Sequence, residues 1–183
     1  MSTTTTLSPA PTTGASGSTL LAPGTPAPDF TLQSTPDRTH SLADYRGHPV
    51  VLAFYPADWS PVCGDQIGLY NEMGDEFGAA HAQLLGVSVD GAWSHLAYAD
   101  SRHLHFPLLA DFEPKGEVSR RYGAYNFKAG RSARALFVID AGGVIRWSEL
   151  SPDSVNPGAA GIFAALDALT ADQRGSARPP DAL

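Results

Sequence analysis

Short apolar runs of strand length alternate with stretches of helical periodicity along most of the chain. Residues 50–55 form an uninterrupted apolar run, which is typical of a central strand covered on both faces. The pattern also predicts strands over 27–33, 84–89 and 107–110, helices over 61–77, 91–101, 115–122 and 161–169, and a hairpin of strands 135–140 and 144–149. In the helix over 91–101 we expect Trp93, Leu96 and Ala97 to face inward. This alternation predicts an α/β fold, with a mixed central β-sheet flanked by helices on both faces.

The helix that follows the central strand carries Cys63, the single cysteine of the sequence. Ser60 is a favoured N-cap residue and Pro61 suits the first helical position, so Cys63 falls in the first turn. Unpaired backbone N–H groups and the helix dipole stabilise a thiolate there. Judged without its surroundings, a lone cysteine is more often a small buried apolar residue. The order strand, short loop, helix favours the reactive thiol, because ligands bind where parallel strands end.

Length and composition predict one folded domain with low-complexity ends. The 183 residues fit a single domain, which we place at residues 24–170. Residues 1–23 are rich in Thr, Ser, Pro, Gly and Ala, and we expect a disordered extension there. We expect residues 171–183 to form a flexible tail.

The net charge and the number of cysteines limit which partners and which cellular compartment are expected. A formal net charge of −7 and a pI near 5.2 argue against nucleic acid or an anionic membrane surface as the main partner. No run of apolar residues approaches the length of a membrane span. One cysteine excludes an internal disulfide and fits a reducing compartment, so we expect a cytoplasmic protein.

Cofactor and metal motifs are weak. The six histidines are scattered apart from His103 and His105, and no convergent set of ligands is apparent. No glycine-rich phosphate loop follows a strand. We expect neither a metal nor an organic cofactor.

The run 54–63, Phe-Tyr-Pro-Ala-Asp-Trp-Ser-Pro-Val-Cys, resembles the active-site signature of the peroxiredoxins of the AhpC/TSA family. Pro56, Ser60 and Cys63 match its order of Pro, three residues, Thr or Ser, two residues and Cys. The resemblance continues through 88–90, 106–111 and 134–140 and covers about residues 24–170. It implies a thioredoxin-like fold and a thiol-dependent peroxidase that reduces hydrogen peroxide, organic hydroperoxides or both.

The resemblance also assigns roles within the signature. Cys63 is the nucleophile that attacks the peroxide and becomes a sulfenic acid. Ser60 donates a hydrogen bond to the thiolate or the peroxide, with capping of the helix as the alternative role. Pro56 shapes and dries the pocket, with ending the strand as its alternative role.

Arg134 is the candidate that stabilises negative charge on sulfur and on the peroxide oxygens. It immediately precedes a predicted strand, as the family's arginine does, whereas Arg131 and Arg146 are competing candidates. Many relatives carry Glu three residues after the cysteine, where this chain has Gln66. A neutral amide accepts a hydrogen bond from a guanidinium without an ion pair, so Gln66 is a supporting residue whose hold on Arg134 is an open question.

The absence of a second cysteine implies a one-cysteine mechanism. A thiol from outside the chain must reduce the sulfenic acid. We expect this thiol to belong to a thioredoxin-like or glutaredoxin-like protein, or to be a low-molecular-weight thiol. Family analogy suggests a homodimer or larger assembly. A thiol-disulfide oxidoreductase is disfavoured because the sequence has no Cys-x-x-Cys pair. A non-enzymatic peroxide sensor that uses the same cysteine is the alternative function.

Overall fold

The computed structural model describes residues 19–176, with side chains through residue 172. The strands are β1 (Thr31–Thr35), β2 (Arg38–Ser41), β3 (Val50–Phe54), β4 (Gln83–Ser88), β5 (Leu108–Ala110), β6 (Tyr125–Asn126), β7 (Arg131–Ser132), β8 (Arg134–Ile139) and β9 (Ile145–Ser151). The helices are α1 (Pro61–Glu72), α2 (Gly74–Ala79), α3 (Ala92–Arg102), α4 (Glu117–Arg121) and α5 (Ala160–Ser176), and a 3-10 helix spans Leu42–Tyr45.

The main sheet of the described residues has the strand order β2-β1-β5-β4-β3-β8-β9, and β6 pairs with β7 separately. Strand β3 runs parallel to β4 and antiparallel to β8, so the sheet is mixed as predicted. Phe54, the last residue of β3, pairs with Ala135 of β8. This register places Arg134 just beyond the end of β3, beside the loop that leads into α1.

Helices cover both faces of the sheet, because successive residues of a strand point to opposite sides. Val51 of β3 packs in one core cluster with Ile162 of α5. Leu52 packs in the opposite cluster with Val118 of α4. The five residues of β3 are all buried, which confirms the central strand predicted from its apolar run.

The helix predicted over 61–77 is two helices, so that prediction was wrong at Met73. The first helix ends at Glu72, and Met73 has φ −91° and ψ 22°, outside ordinary helical geometry. Gly74 then begins α2. A glycine next to the break lowers the cost of interrupting the helix, because glycine is a poor helix former.

The orientation predicted for α3 was also wrong. Trp93 is 73% exposed and Ala97 is exposed as well, while Leu96 is half-buried. The inward residues of the helix are His95 and Tyr98. The apolar pattern predicted the wrong inner face because polar contacts of His95, described below, hold that side of the helix against the protein.

Several boundaries differ from those predicted. The first strand begins at Thr31 instead of residue 27, since Pro26 and Pro28 have no N–H to donate to a ladder. Helix α5 extends past residue 170 to Ser176, and the short strands β2, β6 and β7 carry too little pattern to be found. Leu20, assigned to the extension, is buried in the core. The remainder of the predicted extension and tail, residues 1–18 and 177–183, lies outside the described residues.

None of the helices described here is both long enough and apolar enough to cross a bilayer.

Candidate active site

The loop between β3 and α1 delivers Cys63 to the first turn of the helix, as the sequence predicted. Ser60 is the N-cap residue, with extended backbone angles of φ −70° and ψ 138°. Gly64 N–H donates to Ser60 O at 2.8 Å, which closes the first turn of the helix around Cys63. The Ser60 side chain makes no capping hydrogen bond; its hydroxyl donates to Cys63 Sγ at 3.2 Å. The Ser60 side chain therefore donates to the sulfur and does not cap the helix in this structure.

Arg134 reaches the same sulfur from the neighbouring strand. Its Nη2 lies 3.4 Å from Cys63 Sγ, and the side chain is almost completely buried. The competing arginines lie elsewhere: Arg131 pairs with Asp153, and Arg146 pairs with Asp140. Of the three candidates, Arg134 is the one that the fold brings to Cys63.

Gln66 and the loop between β9 and α5 orient the guanidinium. Arg134 Nη1 donates a short hydrogen bond to Gln66 Oε1, and Nη2 also donates to the Asp153 carbonyl at 2.8 Å. Gln66 Nε2 donates to the Tyr70 hydroxyl at 3.1 Å, which donates in turn to the Gly158 carbonyl at 3.0 Å. These contacts fix the orientation of the amide, with its oxygen toward Arg134.

The Tyr70 hydroxyl can play this donor role across the neutral pH range. Burial is the main cause that raises the pKa of Tyr70 to about 12, although the hydrogen bond from Gln66 opposes it. The phenol therefore stays protonated. Among the described residues, Arg134 thus contacts a neutral amide oxygen, a neutral carbonyl oxygen and the sulfur. None of these three contacts of Arg134 is to a carboxylate.

The sulfur lies in largely apolar surroundings. Cys63 has no exposed surface and packs in a cluster with Tyr55, Ile67, Tyr98 and Leu108. Pro56, two residues beyond the end of β3, is buried in the same loop. Such surroundings keep water from the sulfur and strengthen its interactions with the nearby donors.

Comparison with known proteins identifies the family. The AhpC/TSA family model matches residues 23–148. The chain belongs to the AhpC/TSA family. This peroxiredoxin is 39% identical to peroxiredoxin-2 of Rattus norvegicus over 133 residues, which are 67% of this chain and 66% of the relative. It is 36% identical to alkyl hydroperoxide reductase E of Mycobacterium tuberculosis over 132 residues, 72% of this chain and 86% of the relative. The chain thus spans about two thirds of the rat protein's length.

Solved structures give the same result for the fold. Mycobacterium tuberculosis AhpC superposes with a TM-score of 0.74 at 27% identity, covering 84% of this chain and 96% of that one. A reduced 2-Cys peroxiredoxin of Plasmodium vivax superposes with a TM-score of 0.76 at 25% identity, covering 87% of this chain and 88% of that one. The predicted thioredoxin-like fold and peroxiredoxin family are confirmed. The chain is accordingly a thiol-dependent peroxidase, an oxidoreductase that acts on peroxide.

Sequence reasoning missed a second group of polar residues in this peroxiredoxin. Asp58 lies in the loop before Cys63, and its carboxylate contacts His95 of α3, which is 37 positions away in sequence. The sequence placed His95 among the scattered histidines, and no spacing rule joins the two residues. Burial acts to raise the pKa of Asp58, but hydrogen bonds from His95, Ser94 and Tyr55 outweigh it and hold that pKa below its usual value.

Across the part of the chain with described side chains, no group of three or more His, Cys, Asp or Glu residues is placed to hold a metal ion.

Proposed function

We propose that Cys63 reduces peroxides through a one-cysteine cycle, with Arg134, Ser60 and Pro56 as its site and Gln66 in support. The observation that carries the proposal is the convergence on one sulfur: Ser60 Oγ at 3.2 Å and Arg134 Nη2 at 3.4 Å meet Cys63 Sγ in the first turn of α1. Both groups donate hydrogen bonds, so both favour the thiolate, which is the nucleophilic form.

The first half of the cycle is a displacement at oxygen. The Cys63 thiolate attacks one peroxide oxygen, an S–O bond forms and the O–O bond breaks. The electron pair of that bond leaves on the other oxygen, which takes a proton and departs as water or an alcohol. Negative charge therefore moves from sulfur to the leaving oxygen, and Arg134 and Ser60 stabilise it at both ends of the step. Pro56 helps to keep the pocket dry while this happens.

The second half of the cycle needs a thiol from outside the chain. One thiol attacks the sulfenic sulfur. Water departs, and Cys63 is left in a mixed disulfide with that thiol. A second thiol attacks that disulfide, regenerates the Cys63 thiolate and carries away an oxidised disulfide. The sequence has one cysteine, so these thiols come from a thioredoxin-like or glutaredoxin-like protein or a low-molecular-weight thiol. Such reductants are kept reduced in the cytoplasm, where we place the protein.

Two further features support the details of this proposal. Similarity to alkyl hydroperoxide reductase E favours organic hydroperoxides as substrates beside hydrogen peroxide. Large exposed apolar side chains favour a homodimer or larger assembly, because such side chains are commonly covered in interfaces; they include Trp59, Trp93, Phe112 and Phe127.

A peroxidase assay tests the function. The protein is given hydrogen peroxide or an organic hydroperoxide with a panel of small and protein thiols, and mass spectrometry follows the oxidation state of Cys63. We expect many peroxide equivalents consumed per chain with at least one thiol, and none consumed by Cys63→Ser. Full activity of Cys63→Ser would overturn the proposal. Oxidation that occurs once and is reversed by no thiol would favour the peroxide sensor.

A further inference from the structure

A closed polar cluster anchors the loop that carries the active site. The Asp58 carboxylate accepts a hydrogen bond from the Tyr55 hydroxyl at 2.7 Å on Oδ1 and from the Ser94 hydroxyl at 2.7 Å on Oδ2. His95 Nδ1 lies 3.2 Å from Oδ1 and 3.0 Å from Oδ2. Tyr55 and Asp58 belong to the loop, whereas Ser94 and His95 belong to α3. The cluster therefore ties the loop to a helix that does not carry Cys63.

The cluster depends on each of its donors because it is buried. The side chains of Asp58 and His95 have no exposed surface. A carboxylate in such a place is tolerated only when both oxygens are hydrogen-bonded. If the His95 contact is lost, each oxygen keeps one hydroxyl donor, from Tyr55 or Ser94, and the carboxylate must replace the lost donor by moving toward water or by recruiting water inward. Either response displaces the loop.

The displacement would be transmitted directly to Ser60. Asp58 N–H donates to Asp90 Oδ2 at 2.9 Å, so the backbone of Asp58 is held as well as its side chain. The next residue, Trp59, has φ 64°, a left-handed conformation that costs a bulky residue about 1–3 kcal/mol and persists only where its neighbours enforce it. Ser60 follows at once and donates to Cys63 Sγ. The anchors at Asp58 therefore set where the Ser60 hydroxyl lies.

We propose that Asp58 and His95 are positioning residues for peroxide reduction, acting through the loop to hold the Ser60 hydroxyl on Cys63 Sγ. The inference rests on the proposed function, since it concerns the same sulfur. The reaction rate would then depend on His95 as well. His95 lies in α3, a helix that contributes no residue to the family signature.

The contact geometry defines which substitutions can be tolerated at His95. Only Nδ1 contacts Asp58, and Nε2 has no hydrogen-bond partner among the described residues. An asparagine places its amide N–H close to the position of Nδ1, whereas a leucine fills similar space without a donor. His95→Asn should therefore preserve the anchor, and His95→Leu should remove it.

Stopped-flow measurement of Cys63 oxidation by hydrogen peroxide tests the proposal in the full chain. We expect His95→Leu to lower the second-order rate constant by roughly 10- to 100-fold, as displacements of about 1 Å do in other active sites. His95→Asn should restore most of that loss. In a Ser60→Ala background, His95→Leu should have little further effect, because the hydroxyl that the anchor positions is already gone. A merely structural role would give the same loss in both backgrounds, and that result would overturn the proposal.

A milder pair of variants covers the case in which His95→Leu does not fold. Ser94→Ala removes one donor from Asp58. Ser119→Ala removes one donor from Asp111, a buried carboxylate just after β5 that accepts a hydrogen bond from Ser119 Oγ of α4 at 2.8 Å. Ser94→Ala should slow oxidation, and Ser119→Ala should not. Equal rates for the two would refute the positioning role. If wild-type protein itself failed to react with peroxide, the proposed function would fail first, so the two failures are distinguishable.

Discussion

Replacing Arg134 by methionine gives the sharpest test of how the site activates its sulfur. Methionine is unbranched like the aliphatic part of arginine but shorter, and it has no charge and no hydrogen-bond donor. The substitution removes the contact between Nη2 and Cys63 Sγ, together with the donors to Gln66 and to the Asp153 carbonyl. Because Arg134 is almost completely buried, solvent cannot replace the lost charge at the sulfur without rearrangement.

The size of the effect follows from the geometry. At the 3.4 Å separation of Nη2 and Sγ, an effective dielectric constant of about 20 gives a gross attraction of about 5 kcal/mol between guanidinium and thiolate. Desolvation of both groups offsets part of it, and hydrogen bonds to charged groups contribute about 1.5–3 kcal/mol net. That range corresponds to a rate reduced by about 10- to 150-fold, since each 1.36 kcal/mol is a factor of ten.

The assay is stopped-flow oxidation of the reduced protein by hydrogen peroxide, at a temperature where thermal unfolding shows each variant to be folded. Arg146→Met is the matched control, because Arg146 pairs with Asp140 through a half-exposed side chain away from Cys63. We expect the control to react like the wild type. Arg134→Lys should be intermediate, since lysine keeps the charge but lacks the fixed fork of donors. A rate constant for Arg134→Met within about two-fold of the wild type, less than 0.5 kcal/mol, would refute the electrostatic argument.

Two further predictions concern the supports of the site. Asp153→Ala breaks the partly exposed ion pair with Arg131 at 3.1 Å but leaves the carbonyl that accepts Arg134, so peroxide oxidation should slow by only about two- to five-fold. The slowing should disappear in an Arg134→Met background, and Glu117→Ala, which breaks an exposed pair elsewhere, should have no effect on the rate. The pKa of Asp58 lies below its ordinary value of 3.8, so its charged form stabilises the fold above that pH, and the stabilisation is lost as pH falls through the lowered value. Urea unfolding of wild type and Asp58→Asn should therefore converge as the solution is acidified; a difference that does not depend on pH would contradict this assignment.

The parts of the site that could be predicted from sequence are those encoded locally. The apolar run of β3, the N-cap position of Ser60 and the cysteine lie within fourteen consecutive positions, 50–63, so pattern and spacing suffice to place them in order. Arg134 was found through the family resemblance, because its place immediately before a predicted strand points to the site only by comparison with the family's arginine. The register between Phe54 and Ala135 is what brings it to the sulfur, and strand register is a tertiary property.

The orientation of α3 shows why other features could not be predicted. A rule that turns apolar residues inward selects Trp93, yet the helix turns His95 and Tyr98 inward and leaves Trp93 exposed. Asp58 accounts for this orientation. Leaving a buried carboxylate without hydrogen-bond donors costs more free energy than leaving the Trp93 indole exposed. Such a preference becomes visible only once the fold has placed the loop against the helix.

The burial of Cys63 separates the requirements of the two halves of the catalytic cycle. The residue has no exposed surface, although the neighbouring Trp59 is 58% exposed. Hydrogen peroxide is not much larger than a water molecule and needs only a small shift of side chains to reach the sulfur. A protein thiol must bring its own sulfur in line with the sulfenic sulfur, and that approach requires the loop or the first turn of α1 to move. The contacts of Asp58, Ser60 and Arg134 that we propose to favour oxidation should therefore oppose reduction by a bulky partner. Variants that loosen the loop should narrow the difference in rate between a small thiol and a protein thiol.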